Sequence, residues 1–203
     1  MQKFLQIFKV PEVRNKVLIV AGLLIAFRLL AVIPVPGIDL GRLQALLSDN
    51  QLLGFLNIFS GGGLSNLSIM MLGVGPYITA TIIMQLLTMV NSRMKQLYYE
   101  EGAAGRAKFN QYSRYLTVPL ALLQGYSFMN LLARQGVLPS LSGFALIQNL
   151  ALITAGSVIL MWLGEIISEQ KIGNVISLII FAGIVSSLPQ TIQQLFFSYS
   201  SEM

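Results

Sequence analysis

Five stretches of this chain stay apolar long enough for a helix to cross about 30 Å of hydrocarbon, which takes roughly twenty residues. They lie near 17–36, 69–90, 115–133, 144–167 and 172–192. The pattern predicts an all-α polytopic membrane protein with five transmembrane helices. The last stretch is bounded by Gly173 and Pro189, so its apolar core is short and has room to tilt or kink. The least regular apolar region runs from Leu52 to Leu87. There Gly61-Gly62-Gly63, and then Gly73, Gly75 and Pro76, interrupt regular structure twice. At membrane depth, broken backbone is tolerated only where protein buries it or water reaches it. The reading is a short helix re-entering the bilayer at about 52–67, beside a water-filled cavity. That favours a channel or transporter over a simple anchor.

Residues 1–16 precede the first apolar stretch and read as an interfacial helix, with Phe4, Leu5 and Phe8 on one face and Lys3 and Lys9 towards headgroups. A frayed terminus is the alternative. No small-residue cleavage site follows, so these residues do not read as a cleavable signal. Residues 17–203 then form the five-span membrane domain.

Lysine and arginine set the orientation, because cytoplasmic loops carry the positive excess. Lys3, Lys9, Arg14 and Lys16 precede the first span. Arg93, Lys95, Arg106, Lys108 and Arg114 lie between the second and third, in a loop at about 91–114, and Lys171 lies between the fourth and fifth. Only Arg42 and Arg134 fall on the other side. The N-terminus is expected in the cytoplasm and the C-terminus outside. An odd-span unit, duplicated and fused, gives a second half of inverted topology, but no repeat is visible within the chain.

Composition narrows the chemistry. The 203 residues are 55% hydrophobic and 10% charged, with mean hydropathy +0.72, too apolar for a soluble domain. There is no Cys and no His, which removes thiolate and imidazole metal sites, cysteine nucleophiles and Ser-His-Asp triads. No acidic pair lies within an apolar span either, so an intramembrane protease is set aside. The expectation is no enzyme, no metal and no cofactor. Arg28 lies well inside a span, where an arginine costs about 2.5–3.5 kcal/mol on insertion scales and so needs a partner or a route to water. Glu165 and Glu169, one turn apart near the end of the fourth span, read as an interfacial acidic face.

Four blocks, in order, carry a family resemblance. The first is Phe8 to Asp39, closing on Pro34-Val35-Pro36-Gly37-Ile38. The second joins Asn57-Ile58-Phe59-Ser60-Gly61-Gly62 to Pro76-Tyr77-Ile78-Thr79-Ala80 and Gln85-Leu86-Leu87. The third is Glu101-Gly102, Gly105-Arg106, Lys108 and Gln111-Tyr112-Ser113-Arg114-Tyr115. The fourth is Met161-Trp162-Leu163-Gly164-Glu165, Ile172-Gly173-Asn174 and Ser177 to Ile184. Together they resemble the N-terminal half of the SecY protein-translocation channel family over nearly the whole chain.

The resemblance implies one half of an inverted-repeat channel that passes unfolded polypeptides across the membrane, or releases hydrophobic segments sideways into lipid. It implies a hydrophobic pore ring with contributions from Val74, Ile78, Ile176 and Ile180. Aliphatic rings block ions by dewetting. It implies a plug at Asn57, Ile58, Phe59, Ser60, Gly61, Gly62, Gly63, Leu64, Ser65 and Asn66. It also implies a lateral gate with Gln85 as its polar seam and Thr79, Thr81 and Thr88 as lesser candidates. A cytoplasmic docking surface would carry Arg93, Lys95, Arg106, Lys108 and Arg114. The implied partners are SecE-like and SecG-like subunits, the SecA ATPase or a ribosome, signal sequences of client polypeptides, and membrane lipid. The implied location is a bacterial-type plasma membrane or a thylakoid-type membrane.

Read without the resemblance, each feature keeps a plainer alternative. The aliphatic pairs are packing faces, the 52–67 segment is a turn on the outer leaflet, Gln85 bonds a neighbouring helix, and the basic loop is only topogenic. Departures from the family pattern are Val175 and Lys171 where glycines are usual, and Ala103 and Ala107 where charges are common. Because the chain ends at Met203, the second wall is expected from a complementary inverted half-channel or a missing C-terminal half. Competing functions are a membrane insertase or assembly scaffold, and half of an inverted-repeat solute transporter.

Overall fold

Proline has its φ preset for a helix and loses no hydrogen bond at a first turn, and helix α1 (Pro11–Ala31) opens on Pro11. Residues 11–16, assigned above to a separate interfacial segment, therefore belong to the first long helix. The computed structural model describes residues 11–37, 41–43, 45, 64, 67–138, 143–173 and 177–185. Residues 1–10 lie outside that set. α1 stops short of Pro34 and Pro36, whose rings and missing N–H groups do not continue a helix.

The chain after α1 then pairs with the approach to the second apolar stretch. Pro34 and Ser68 form an antiparallel bridge, flanked by Val35 N–H to the Leu67 carbonyl (2.9 Å) and Ile69 N–H to the Ile33 carbonyl (3.0 Å). Residues 69–74 follow as tight turns, with Met71 bonded back to Ser68 and Gly73 to Met70. Gly73 takes the left-handed φ of +57° that its missing Cβ permits. Regular helix begins only at α2 (Gly75–Val90), so the interruption read from Gly73, Gly75 and Pro76 is real.

The stretch 91–114 departs most from expectation: it is not a loop. Asn91 caps α3 (Ser92–Tyr99) by accepting from the N–H groups of Arg93 and Met94, and α4 (Gly102–Arg134) starts three residues after α3 ends. The two pack as a hairpin. A Cβ on Gly105 would stand 2.1 Å from the Leu97 carbonyl oxygen, and the Tyr98 and Phe109 rings lie 4.7 Å apart. Tertiary contact thus overrides glycine's poor helix propensity here. At 33 residues α4 is about 50 Å long, more than a bilayer's hydrocarbon, so one end projects beyond it.

α5 (Gly143–Glu169) matches the fourth apolar stretch closely, and among the described residues 177–185 are helical and are labelled α6. α4 and α5 are the two described helices long and apolar enough to cross a membrane on their own. α4 is the centre of the packing: α2, α3 and α5 all lie against it, while α1 packs on α5. Its buried positions recur every four residues, Gly105, Phe109, Ser113, Thr117, Ala121, Gly125 and Met129, a ridge of mostly small side chains that lets neighbours approach closely. Opposite Gly125 a Cβ would meet Leu150 Cδ1 at 3.1 Å. The hydroxyls of Ser113, Thr117, Thr154 and Ser157 donate to carbonyls one turn back, so polar atoms in these faces are satisfied within their own helix.

Candidate functional site

Two cavities meet at Val74. The residue sits at the N-cap of α2 with φ −84° and ψ 1°, between the tight turns and the first regular turn. It is buried, in a cluster with Phe27, Ala31, Met70, Leu160 and Ile179. Its side chain lines both cavities.

The first cavity, about 540 Å³, is polar. Tyr77 of α2, Asn110 and Arg114 of α4, and Glu165, Ser168 and Glu169 of α5 line it around a floor of Val74, Leu160 and Ile179. Arg114 Nε donates to Glu165 Oε1 across the α4–α5 boundary. That pair joins two helices whose residues are 51 positions apart, which no local spacing in the sequence signals.

The second cavity, about 660 Å³, is apolar. Leu64, Met71, Leu72, Val74, Ile78, Leu123, Phe128, Leu131 and Ile180 line it. Its polar side chains are Gln124 and Ser127 of α4. Ser127 donates to the Leu123 carbonyl within α4, and Gln124 Nε2 reaches Thr79 Oγ1 of α2 at 3.4 Å. Thr79 itself donates to the Gly75 carbonyl at 2.9 Å. Gln124 was not singled out from sequence. The signal was available: an amide in an apolar run, one position before the buried Gly125.

The residues nominated for a pore ring divide as follows. Val74, Ile78 and Ile180 come from α2 and α6 into one cavity wall, while Ile176 lies outside the described residues. Of the nominated plug, only Leu64 is described. It is buried, packs with Leu67, Met71 and Met129, and edges the apolar cavity. The other plug positions lie outside the described residues, as does Val175.

The gate candidates separate by face. Gln85 is exposed on α2 and lines neither cavity, whereas Thr88 is buried and donates to the Gln85 carbonyl. Thr81 donates to the Tyr77 carbonyl and Thr79 takes the bond from Gln124. The amide that meets a neighbouring helix at the cavity is therefore Gln124, not Gln85. Among the docking candidates, Arg93 and Lys95 on α3 and Arg106 and Lys108 on α4 are exposed on the hairpin, and Arg114 is ion-paired in the polar cavity. Arg28 is half-buried on α1 and lines neither cavity.

Lys171, where a glycine is usual in the resemblance, has a left-handed φ of +56°. That region favours glycine, so the departure read from sequence falls on a strained backbone position just before the approach to α6.

Known proteins resemble this chain in sequence. The SecY family pattern matches residues 68–202. The chain is 44% identical over 196 residues to a protein translocase subunit SecY of Synechocystis sp., covering 95% of this chain and 43% of that protein. It is 45% identical over 192 residues to one from Pyropia yezoensis, covering 94% of this chain and 46% of the relative. A third, from Corynebacterium glutamicum, is 43% identical over 202 residues, 93% of this chain and 46% of that protein. The chain thus spans a little under half the length of these relatives. Such kinship, with long apolar helices packed on one another, makes it a helical, polytopic, integral membrane protein. Its family is SecY, to which this chain belongs.

Proposed function

We propose that this chain forms one wall of a protein-conducting channel, with Val74, Ile78 and Ile180 as its share of a hydrophobic constriction. The observation that carries the reading is Val74's place between a cavity with charged walls and one with aliphatic walls. A ring of aliphatic side chains blocks ions by dewetting, yet yields to a polypeptide because no directional bonds must break.

The rest of the proposal follows from the family. Five spans place the N-terminus and the basic α3–α4 hairpin in the cytoplasm, and Ile176 and residues 57–66 supply further ring and plug. The second wall comes from a complementary inverted half-channel or C-terminal half. SecE-like and SecG-like subunits complete the assembly in a bacterial-type or thylakoid-type membrane. The SecA ATPase or a ribosome docks at the hairpin, and signal sequences leave through a lateral gate on α2, with Gln85 as its polar seam and Thr79, Thr81 and Thr88 beside it, facing the second wall.

The test is Val74→Thr combined with Ile78→Thr and Ile180→Thr in the assembled channel, reconstituted in vesicles. Threonine matches valine in volume, is smaller than isoleucine and adds a hydroxyl in each case, so a wetter, slightly wider constriction is expected to raise chloride leak by at least about tenfold. An unchanged leak would refute the constriction and favour an insertase or scaffold. Among the described residues, the lining of the apolar cavity holds no charged group to coordinate an ion or solute.

A further inference from the structure

We infer that the Arg114–Glu165 ion pair is a latch, closed over the polar cavity at rest and opened when a polypeptide enters. This rests on the channel reading above, and it removes Arg114 from the docking surface.

The geometry separates a fixed part of the α4–α5 contact from a breakable one. Near Gly125 the two helices are locked by close packing against Leu150 and Ile153, where even one added carbon would crowd the contact. Well before that point on α4, Gly105 and Phe109 turn their packing to α3. Between these regions Asn110 and Arg114 face Gly164, Glu165, Ser168 and Glu169 across the cavity. Across that cavity the two walls are joined by the Arg114–Glu165 ion pair.

The pair suits opening better than bracing. The side chains are 46% and 21% exposed, so water competes for both ions. Ion pairs reached by water add little net stability. Breaking this one leaves neither ion bare, because the backbone and polar side chains of an entering polypeptide offer donors and acceptors to both. Glu169, one turn on, presents a second carboxylate to the same space.

The chain has no cysteine, which makes a reversible lock clean. Arg114→Cys with Glu165→Cys is joined by a short bis-methanethiosulfonate linker, because the long native side chains set a separation suited to a linker rather than a direct disulfide. Transport of an unfolded precursor is read by protease protection in vesicles holding the assembled, otherwise cysteine-free channel. Linking should slow transport by at least about tenfold, with recovery on reduction. Undiminished transport by the linked channel overturns the latch. If the unmodified channel transports nothing, the channel reading itself fails.

A second measurement leaves the pair intact. Spin labels at Asn110→Cys and Ser168→Cys, on opposite cavity walls, should move apart when a precursor is arrested in the channel. A distance unchanged by the arrested precursor also overturns the proposal.

Discussion

The polar and apolar cavities share Val74 and little else. One gathers an arginine, two glutamates, a tyrosine and an asparagine from three helices. The other is walled by aliphatic and aromatic carbon, and both of its polar side chains have partners: Ser127 within α4 and Gln124 across to α2. The difference shows how a membrane chain handles polarity. Charges are gathered where water can reach them, and hydroxyls elsewhere bond one turn back along their own helix. Among the described residues no buried side-chain nitrogen or oxygen lacks a partner. The boundary between the two regimes is an aliphatic side chain set by an irregular piece of backbone.

Moving that backbone should break the comparison most strongly. A Cβ at Gly156 of α5 would stand 2.0 Å from the Ile69 carbonyl oxygen, which belongs to the turns that deliver Val74. Backbone must shift, so Gly156→Ala is expected to cost about 3 kcal/mol and to displace the boundary. Unfolding in detergent reads the first effect, and chloride leak in the assembled channel reads the second.

A smaller change should act at the turn that follows α5. Lys171→Gly removes a left-handed strain of about 1–2 kcal/mol, part of which returns as unfolded-chain entropy. A net gain of about 1 kcal/mol is expected, read as a higher unfolding midpoint. Lys171→Ala should give no such gain, since alanine keeps the Cβ that causes the strain.

The smallest effect belongs to the apolar side. Gln124→Leu removes one interhelical hydrogen bond, and Thr79 keeps its bond to the Gly75 carbonyl. Such bonds average about 0.6 kcal/mol in membranes, so stability should change by less than about 1 kcal/mol. Gln85→Leu, on an exposed face, should change unfolding still less. If Gln85→Leu proves the costlier of the two, the assignment of the interhelical amide is wrong.

Much of the fold was legible because its cause is local. Apolar run length located α4's second half and α5, while Gly73, Gly75 and Pro76 marked the break before α2. The hairpin was missed because its cause is not local. Gly102 and Gly105 argue for a loop, and only the fit of Leu97 and Tyr98 on α3 against Gly105 and Phe109 holds the helix there. Gln85 and Gln124 look alike as amides in apolar runs. Which one meets a neighbour depends on the helix face, and that is fixed by packing.

By itself the sequence determined that this protein lives in a membrane, how its family is written along the chain, and where backbone must be irregular, since burial energy and glycine or proline sterics act over a few residues. Tertiary structure alone decided that Val74 stands between two unlike cavities and that Arg114 meets Glu165. Those relations join residues far apart in the chain, and side-chain contact across helices is set by the packing of faces, which no short window of sequence contains.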